Sequence, residues 1–221
     1  MRDEDFALFI EEIGEATHRS PVPASALSAW KGKLPDQLLT YWKDEGWCGY
    51  ANGRLWTVNP EDYEDLVDEW LEGSPLEQID AFHVFARSAF GHLYLCGERT
   101  GHSATVCCTI NAIMALPADL KPQSAADRDL SVRVFFSSSS LDDFDYKDES
   151  GLPLFERALA LRGPLVPDEM YGFEPAIVAG GQWRLDQLRK VKLDQHLTLL
   201  RQLAAPSSPL TNIDIDKLLK S

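Results

Sequence analysis

The stretch Asn59-Pro60-Glu61-Asp62-Tyr63-Glu64-Asp65-Leu66-Val67-Asp68-Glu69-Trp70-Leu71-Glu72 carries two patterns at once. Tyr63, Leu66, Val67, Trp70 and Leu71 recur at i, i+3, i+4, i+7 and i+8, which is one face of an α-helix. Asn59 is placed to cap the first turn, Pro60 suits the first helical position, and Gly73 is a natural stop. The opposite face holds seven carboxylates, Glu61, Asp62, Glu64, Asp65, Asp68, Glu69 and Glu72, and no base. A helix needs the apolar face but not the acids. Like-charge pairs at i, i+4, such as Glu61–Asp65 and Glu64–Asp68, each cost about 0.2–0.5 kcal/mol, and acids late in a helix oppose its dipole. From residue 59 to 80 there are nine acids and no Lys or Arg. Either this is a solvated face that aids solubility, or it is a docking face for a basic partner.

Working outward, the whole chain has 221 residues, 44% of them hydrophobic, enough for one large or two small domains with a proper core. Net charge is −14, and it is uneven: residues 1–116 hold 19 acids against 8 bases, residues 117–221 hold 16 against 13. Such a surface repels nucleic acid and anionic membranes, whose binding depends on Lys and Arg, and speeds encounter with a basic protein. No apolar run reaches the roughly 18–20 residues of a membrane span, and Met1-Arg2-Asp3-Glu4-Asp5 has no apolar signal core, so a cytoplasmic protein is expected. Cys48, Cys96, Cys107 and Cys108 lack CxxC spacing and read as reduced thiols in or near the core.

Phe6, Phe9, Ile10 and Ile13 predict a first helix over 3–13, and Pro35 through Trp42 a second ending at Gly46. Residues 49–56 predict a hairpin with Asn52-Gly53 as a two-residue turn. Strands are expected over 79–86, 93–96 and 104–110, with 97–101 as a hairpin loop. The Pro-, Ala- and Ser-rich residues 117–129 suggest a domain junction. Beyond it, 132–136 reads as a strand, 141–145 as a helix start, 152–161 as a helix and 171–176 as a turn. Leu185, Leu188, Val191, Leu197, Leu200 and Leu203 mark one or two amphipathic helices, and a short last helix is expected from Leu210. The predicted class is α+β, with two small domains, each an antiparallel sheet with segregated helices. Their expected bounds are 1–116 and 117–205, followed by a tail over 206–221.

No catalytic motif emerges. His83, His92, Cys96, His102, Cys107 and Cys108 cluster, but their spacing matches no zinc motif and strand alternation would scatter them. Asp142, Asp143 and Asp145 resemble the start of a calcium loop, yet Lys147 and Pro153 stand where the loop needs Gly and Glu. Ser137–Ser140 lacks a hydrolase elbow, and Gly180-Gly181 lacks a phosphate-binding pattern; a tight backbone approach is the expected use of those glycines. No catalytic residue, metal or cofactor is expected. The alternative is a metal-dependent enzyme built on the His/Cys cluster. The six tryptophans, Trp30, Trp42, Trp47, Trp56, Trp70 and Trp183, read first as core.

Leu34-Pro35 through Trp42-Lys43-Asp44-Glu45-Gly46-Trp47, the Asn52-Gly53 hairpin, Val58-Asn59-Pro60, Glu69-Trp70-Leu71 and Phe90-Gly91-His92-Leu93-Tyr94-Leu95 resemble a GAD-like domain. Residues 144–154, Tyr171-Gly172-Phe173-Glu174-Pro175-Ala176, Gly180-Gly181 and His196-Leu197 resemble the domain that commonly follows it. The pairing resembles type VI secretion immunity proteins that neutralise antibacterial toxin DNases. The resemblance implies an antitoxin without catalysis that binds one cognate effector, with a non-nuclease toxin as the alternative target. It carries over no contact residues. Physics nominates the partner-binding candidates, because a DNase presents a basic surface that an acidic face can occupy. The first set is Glu61, Asp62, Glu64, Asp65, Asp68, Glu69 and Glu72; the second is Asp142, Asp143, Asp145, Asp148 and Glu149.

Overall fold

An antiparallel meander runs through the first half of the chain, in a computed structural model that describes residues 2–208. Its seven strands are β1 (His18–Ser20), β2 (Trp47–Tyr50), β3 (Leu55–Thr57), β4 (Phe82–Ser88), β5 (His92–Gly97), β6 (Gly101–Cys107) and β7 (Ala112–Ala115), each paired with the next. Gly97 pairs with Gly101 across the β5–β6 loop, as the sequence predicts. A separate two-stranded sheet joins β8 (Glu169–Phe173) to β9 (Leu188–Lys192). The helices are α1 (Glu4–Ile13), α2 (Ala24–Trp30), α3 (Asp36–Glu45), α4 (Glu64–Leu71), α5 (Leu76–Ile79), α6 (Ala125–Ser138), α7 (Phe155–Arg162) and α8 (Leu193–Leu203). The class is α+β, with antiparallel sheets. The helix expected from Leu210 lies outside the described residues.

Strand alternation divides the large sheet into two faces. Phe85, Tyr94 and Cys96 point to one side, where Phe6, Phe9, Trp42 and Phe136 of α1, α3 and α6 complete a core. Val84, Leu93, Leu95, Val106 and Ile113 point to the other, against Leu66 and Trp70 of α4, Phe155 of α7 and Leu197 of α8. Apolar side chains from both halves of the chain thus share one core. Polar side chains lock the seam. Buried Arg54 donates to Glu156 at 2.9 Å and lies over the Phe155 ring at 4.6 Å. Fully buried Arg87 donates to the Pro167 carbonyl at 2.6 Å and lies over Trp56. At Gly91, φ is +80° and an added Cβ would come within 2.8 Å of Met170 and 2.9 Å of Leu197, so only glycine lets β8 and α8 approach.

Six local expectations change, the first being that residues 171–173 of the expected turn belong to β8. Residues 132–136 are not a strand but the centre of α6, which starts with Ser124 accepting a hydrogen bond from Asp127 and packs on α1 and β6. Two valines and two phenylalanines carry strand propensity, and tertiary packing overrides it. Residues 141–144 form a single 3-10 turn rather than a helix start. The β2–β3 loop has four residues, since Tyr50 pairs with Leu55, although Asn52 and Gly53 both take the expected positive φ. Residues 185–191 form a 3-10 turn and β9, with only the later leucines in α8. The acidic stretch opens as a 3-10 turn over Pro60–Tyr63, and the Asn59 side chain makes no capping bond. Gly181 does sit at a tight approach: an added Cβ would meet the Pro175 carbonyl at 2.0 Å.

Candidate functional site

Helix α4 buries Leu66, Val67, Trp70 and Leu71 and turns its acids outward. The periodicity of the sequence dictates this split, and Trp70 is wholly buried. Arg201 reaches across from α8 and donates to the Glu69 and Glu72 backbone carbonyls at 2.9 and 3.2 Å. A guanidinium at the carbonyl end of a helix satisfies orphan acceptors and opposes the dipole favourably, which offsets part of the cost of the late acids.

Beside α4 lies an open cleft of about 940 Å³. Glu64, Asp68, Glu69 and Glu72 line one wall; Glu77, Asp80, His83 and Glu98 come from α5, β4 and the β5–β6 loop. Arg99 is the one Lys or Arg among its lining residues. Its guanidinium donates to the Ile79 carbonyl and approaches Asp80 at 3.5 Å. The Asp80 carboxylate in turn accepts from the backbone of Ala81, Arg99 and Thr100. His83 stands between two carboxylates, with Nδ1 2.8 Å from Glu64 and Nε2 3.3 Å from Glu98, and the Trp30 ring packs edge-on against it at 4.7 Å. Among the described residues, no Lys or Arg side chain pairs with the carboxylate of Glu61, Asp62, Glu64, Asp65, Asp68, Glu69 or Glu72. The structure brings four of the seven nominated acids, Glu64, Asp68, Glu69 and Glu72, into the cleft, whereas Asp62 lines a separate cleft with Asp168 and Lys192, and Glu61 and Asp65 line neither. It adds Glu77, already visible as part of the acidic run, and Glu98, which that run does not contain. Only the register that sets Phe82 opposite Gly97 brings Glu98 to the cleft.

The second set is placed differently. Asp145 accepts at one oxygen from the backbone N–H groups of Tyr146, Leu154 and Phe155. Asp148 accepts from Arg157 at 2.5 Å and from the Ser150 and Leu152 backbone. Arg157 holds the Asp148 carboxyl below its usual range. Asp143 closes a capping box with Ser140, and Asp142 lies 3.6 Å from Lys147. Glu149 is exposed, and its backbone N–H donates to Trp183. These acids organise the 140–157 loop.

Strand alternation does not scatter the His/Cys cluster as expected: the register sets Cys96 opposite His83 and His102, and Cys107 opposite His92, and only Cys108 joins the core on the other face. The Tyr146 hydroxyl lies 2.5 Å from His92 Nε2, and burial pushes the His92 pKa down to about 4. Burial also pushes the Cys107 thiol up to about 11 and the Cys96 thiol up. At neutral pH these thiols are protonated and the imidazole is uncharged, the reverse of an activated Cys–His pair. Among the described residues, no group of three His, Cys, Asp or Glu side chains is arranged to hold a metal ion. No described helix is long and apolar enough to cross a membrane. Of the tryptophans, Trp30, Trp42, Trp56 and Trp70 are buried, while Trp47 and Trp183 are partly exposed.

Comparison with known proteins bears on this arrangement. Residues 4–110 match the GAD-like domain family, and residues 129–204 match the family of the C-terminal domain of the T6SS immunity protein Tdi1. No curated protein matches the chain. Among solved structures, the crystal structure of Atu4351 from Agrobacterium tumefaciens is similar over 90% of this chain and 89% of that one, with a TM-score of 0.78 and 20% identity. At that identity the likeness concerns the fold. The two family matches run in order along most of the chain, which therefore belongs to the type VI secretion immunity proteins that join a GAD-like domain to a Tdi1 C-terminal domain.

Proposed function

We propose that this type VI secretion immunity protein is a cytoplasmic antitoxin that binds one cognate effector, a DNase with a basic surface, one to one. Its acidic cleft occupies the surface the effector needs for DNA. The observation that carries this reading is the α4 face, where the seven acids have no Lys or Arg partner among the described residues. A DNase must hold phosphates with Lys and Arg, and such a surface is complementary to the cleft. Opposite fields also raise the association rate, which favours an antitoxin that must capture its target before damage is done. The acids are tolerated at a cost in helix stability, which a partner-binding role accounts for.

The test is to recover the partner with tagged protein from its own host and to assay its nuclease activity with increasing amounts of this chain. A basic partner whose DNase activity vanishes at one-to-one stoichiometry supports the proposal. A partner without nuclease activity removes the DNase and leaves an immunity protein against another toxin class. A nuclease that stays inhibited after Asp65→Lys with Asp68→Lys moves the interface away from the outer face of α4.

A further inference from the structure

We infer that the groove between α6 and the exposed end of the β5–β7 face is a second docking site, and that its occupant is a partner-protein segment with apolar side chains flanked by Lys or Arg. The cleft and this groove lie on opposite sides of the large sheet, since α4 packs on the face of Leu93 and Val106 and α6 on the face of Tyr94. Helices α1, α3 and α6 do not extend over the far end of that second face. What remains is an open groove of about 1000 Å³, with His92, Tyr94, Thr105 and Met114 along its strand side.

Two features of the groove point to a protein segment. Its α6 wall presents Leu130 and Val134, four residues apart, each 49% exposed, and Met114 on β7 is 51% exposed. Val132, Phe135 and Phe136 of α6 face the core, and Leu130 and Val134 form a separate apolar stripe on its outer side. Exposed apolar side chains gathered along one groove mark an interaction surface rather than scattered surface chemistry. The charge of the rim decides the occupant. Asp119, Asp127 and Asp143 line it, and no Lys or Arg does. A second copy of this chain, with its own net charge of −14, is disfavoured there. An apolar segment with basic flanks satisfies both the floor and the rim, as in helix-in-groove recognition. The inference does not rest on the partner being a nuclease.

The probe is a designed amphipathic helix of leucine and lysine, titrated into the isotope-labelled full chain and followed residue by residue by NMR. Shifts should centre on Leu130, Val134 and Met114. Leu130→Gln with Val134→Gln should weaken binding about tenfold, and Asp65→Lys with Asp68→Lys should not. Met114→Gln, on the opposite wall, supplies an independent variant should the α6 pair perturb folding. A leucine–glutamate counterpart should bind about tenfold more weakly. Shifts confined to α4, equal binding of the glutamate peptide, or a self-association that Leu130→Gln with Val134→Gln abolishes would each overturn the inference.

Discussion

The chain has two acidic segments of similar composition, residues 61–72 and 142–149, and they differ in what their oxygens do. In the second, Asp145 gathers three backbone N–H groups, Asp148 pairs with Arg157, and Asp143 closes a capping box. In the first, one acid contacts a histidine, and among the described residues no Lys or Arg pairs with any of the seven. Charge density read from sequence does not separate these cases. Backbone geometry does: the turns around Asp143, Asp145 and Asp148 aim N–H groups at their carboxylates, whereas the turn and helix start at Glu61–Asp65 make no side-chain cap bond. The acids of the second segment thus have a structural use of their own, and those of the first show none beyond the Glu64–His83 contact.

This contrast can be broken or sharpened by measurement. The largest effect belongs to the buried side of the first segment. Trp70→Ala should cost about 3–5 kcal/mol of folding stability, as other buried large-to-small changes do. An unchanged melting temperature would mean that α4 is not anchored by its inner face, and its outer acids would lose their rigid frame. Acid is the obvious way to erase both clusters, but the fold responds to it first. Burial pushes His92 down to about 4, below the ordinary value near 6.5. The unfolded chain therefore takes up a proton that the folded chain refuses. The stabilising contribution is whole above pH 6.5 and is lost as pH falls towards 4, by about 3 kcal/mol in total. Denaturant titrations from pH 7 to 4.5 should show that decline, and His92→Gln should make it shallower without abolishing it, because burial also pushes His102 and His196 down.

Next comes the second segment. Asp145→Ala leaves the N–H groups of Tyr146 and Phe155 without their carboxylate and should cost about 2–3 kcal/mol, with Asp145→Asn recovering much of it. A melt insensitive to either change would remove the structural reading of that cluster. The smallest expected stability effect is in the first segment. Asp65→Lys with Asp68→Lys should change folding by under about 0.5 kcal/mol, as exposed substitutions usually do, while weakening effector binding about tenfold at low salt. Equal losses of stability in the two segments would abolish the distinction between them.

Much of this was legible in the sequence. The inner face of α4, the α1 helix and the β4–β6 meander follow from spacings sustained over several turns or strands. What escaped has physical causes. Strand β1 is three exposed residues, His18, Arg19 and Ser20, with no alternation to detect. Val132, Val134, Phe135 and Phe136 carry strand propensity, and only packing on α1 makes them helical. Leu185, Leu188 and Val191 match a helical spacing over too short a span to exclude β9, where Leu188 is buried and Lys190 is exposed. At the site, the acids of the first segment were evident, but Glu98 joins them through the β4–β5 register, which local sequence spacing does not specify. That the second acidic set is internally bonded depends on backbone geometry that composition does not contain.

The shared core between the two halves also bears on whether either half can be exchanged alone. Arg54 needs Glu156 and Phe155, Arg87 needs the Pro167 carbonyl, and Gly91 needs to stay glycine for Met170 and Leu197 to fit. A recombination crossover between residues 116 and 125 would join halves whose seams had diverged separately. The hybrid would bury an unmatched arginine or leave a gap beside Gly91. Exchanging one half alone should therefore lower the melting temperature, whereas substitutions on the outward faces of α4 and α6 meet no such seam.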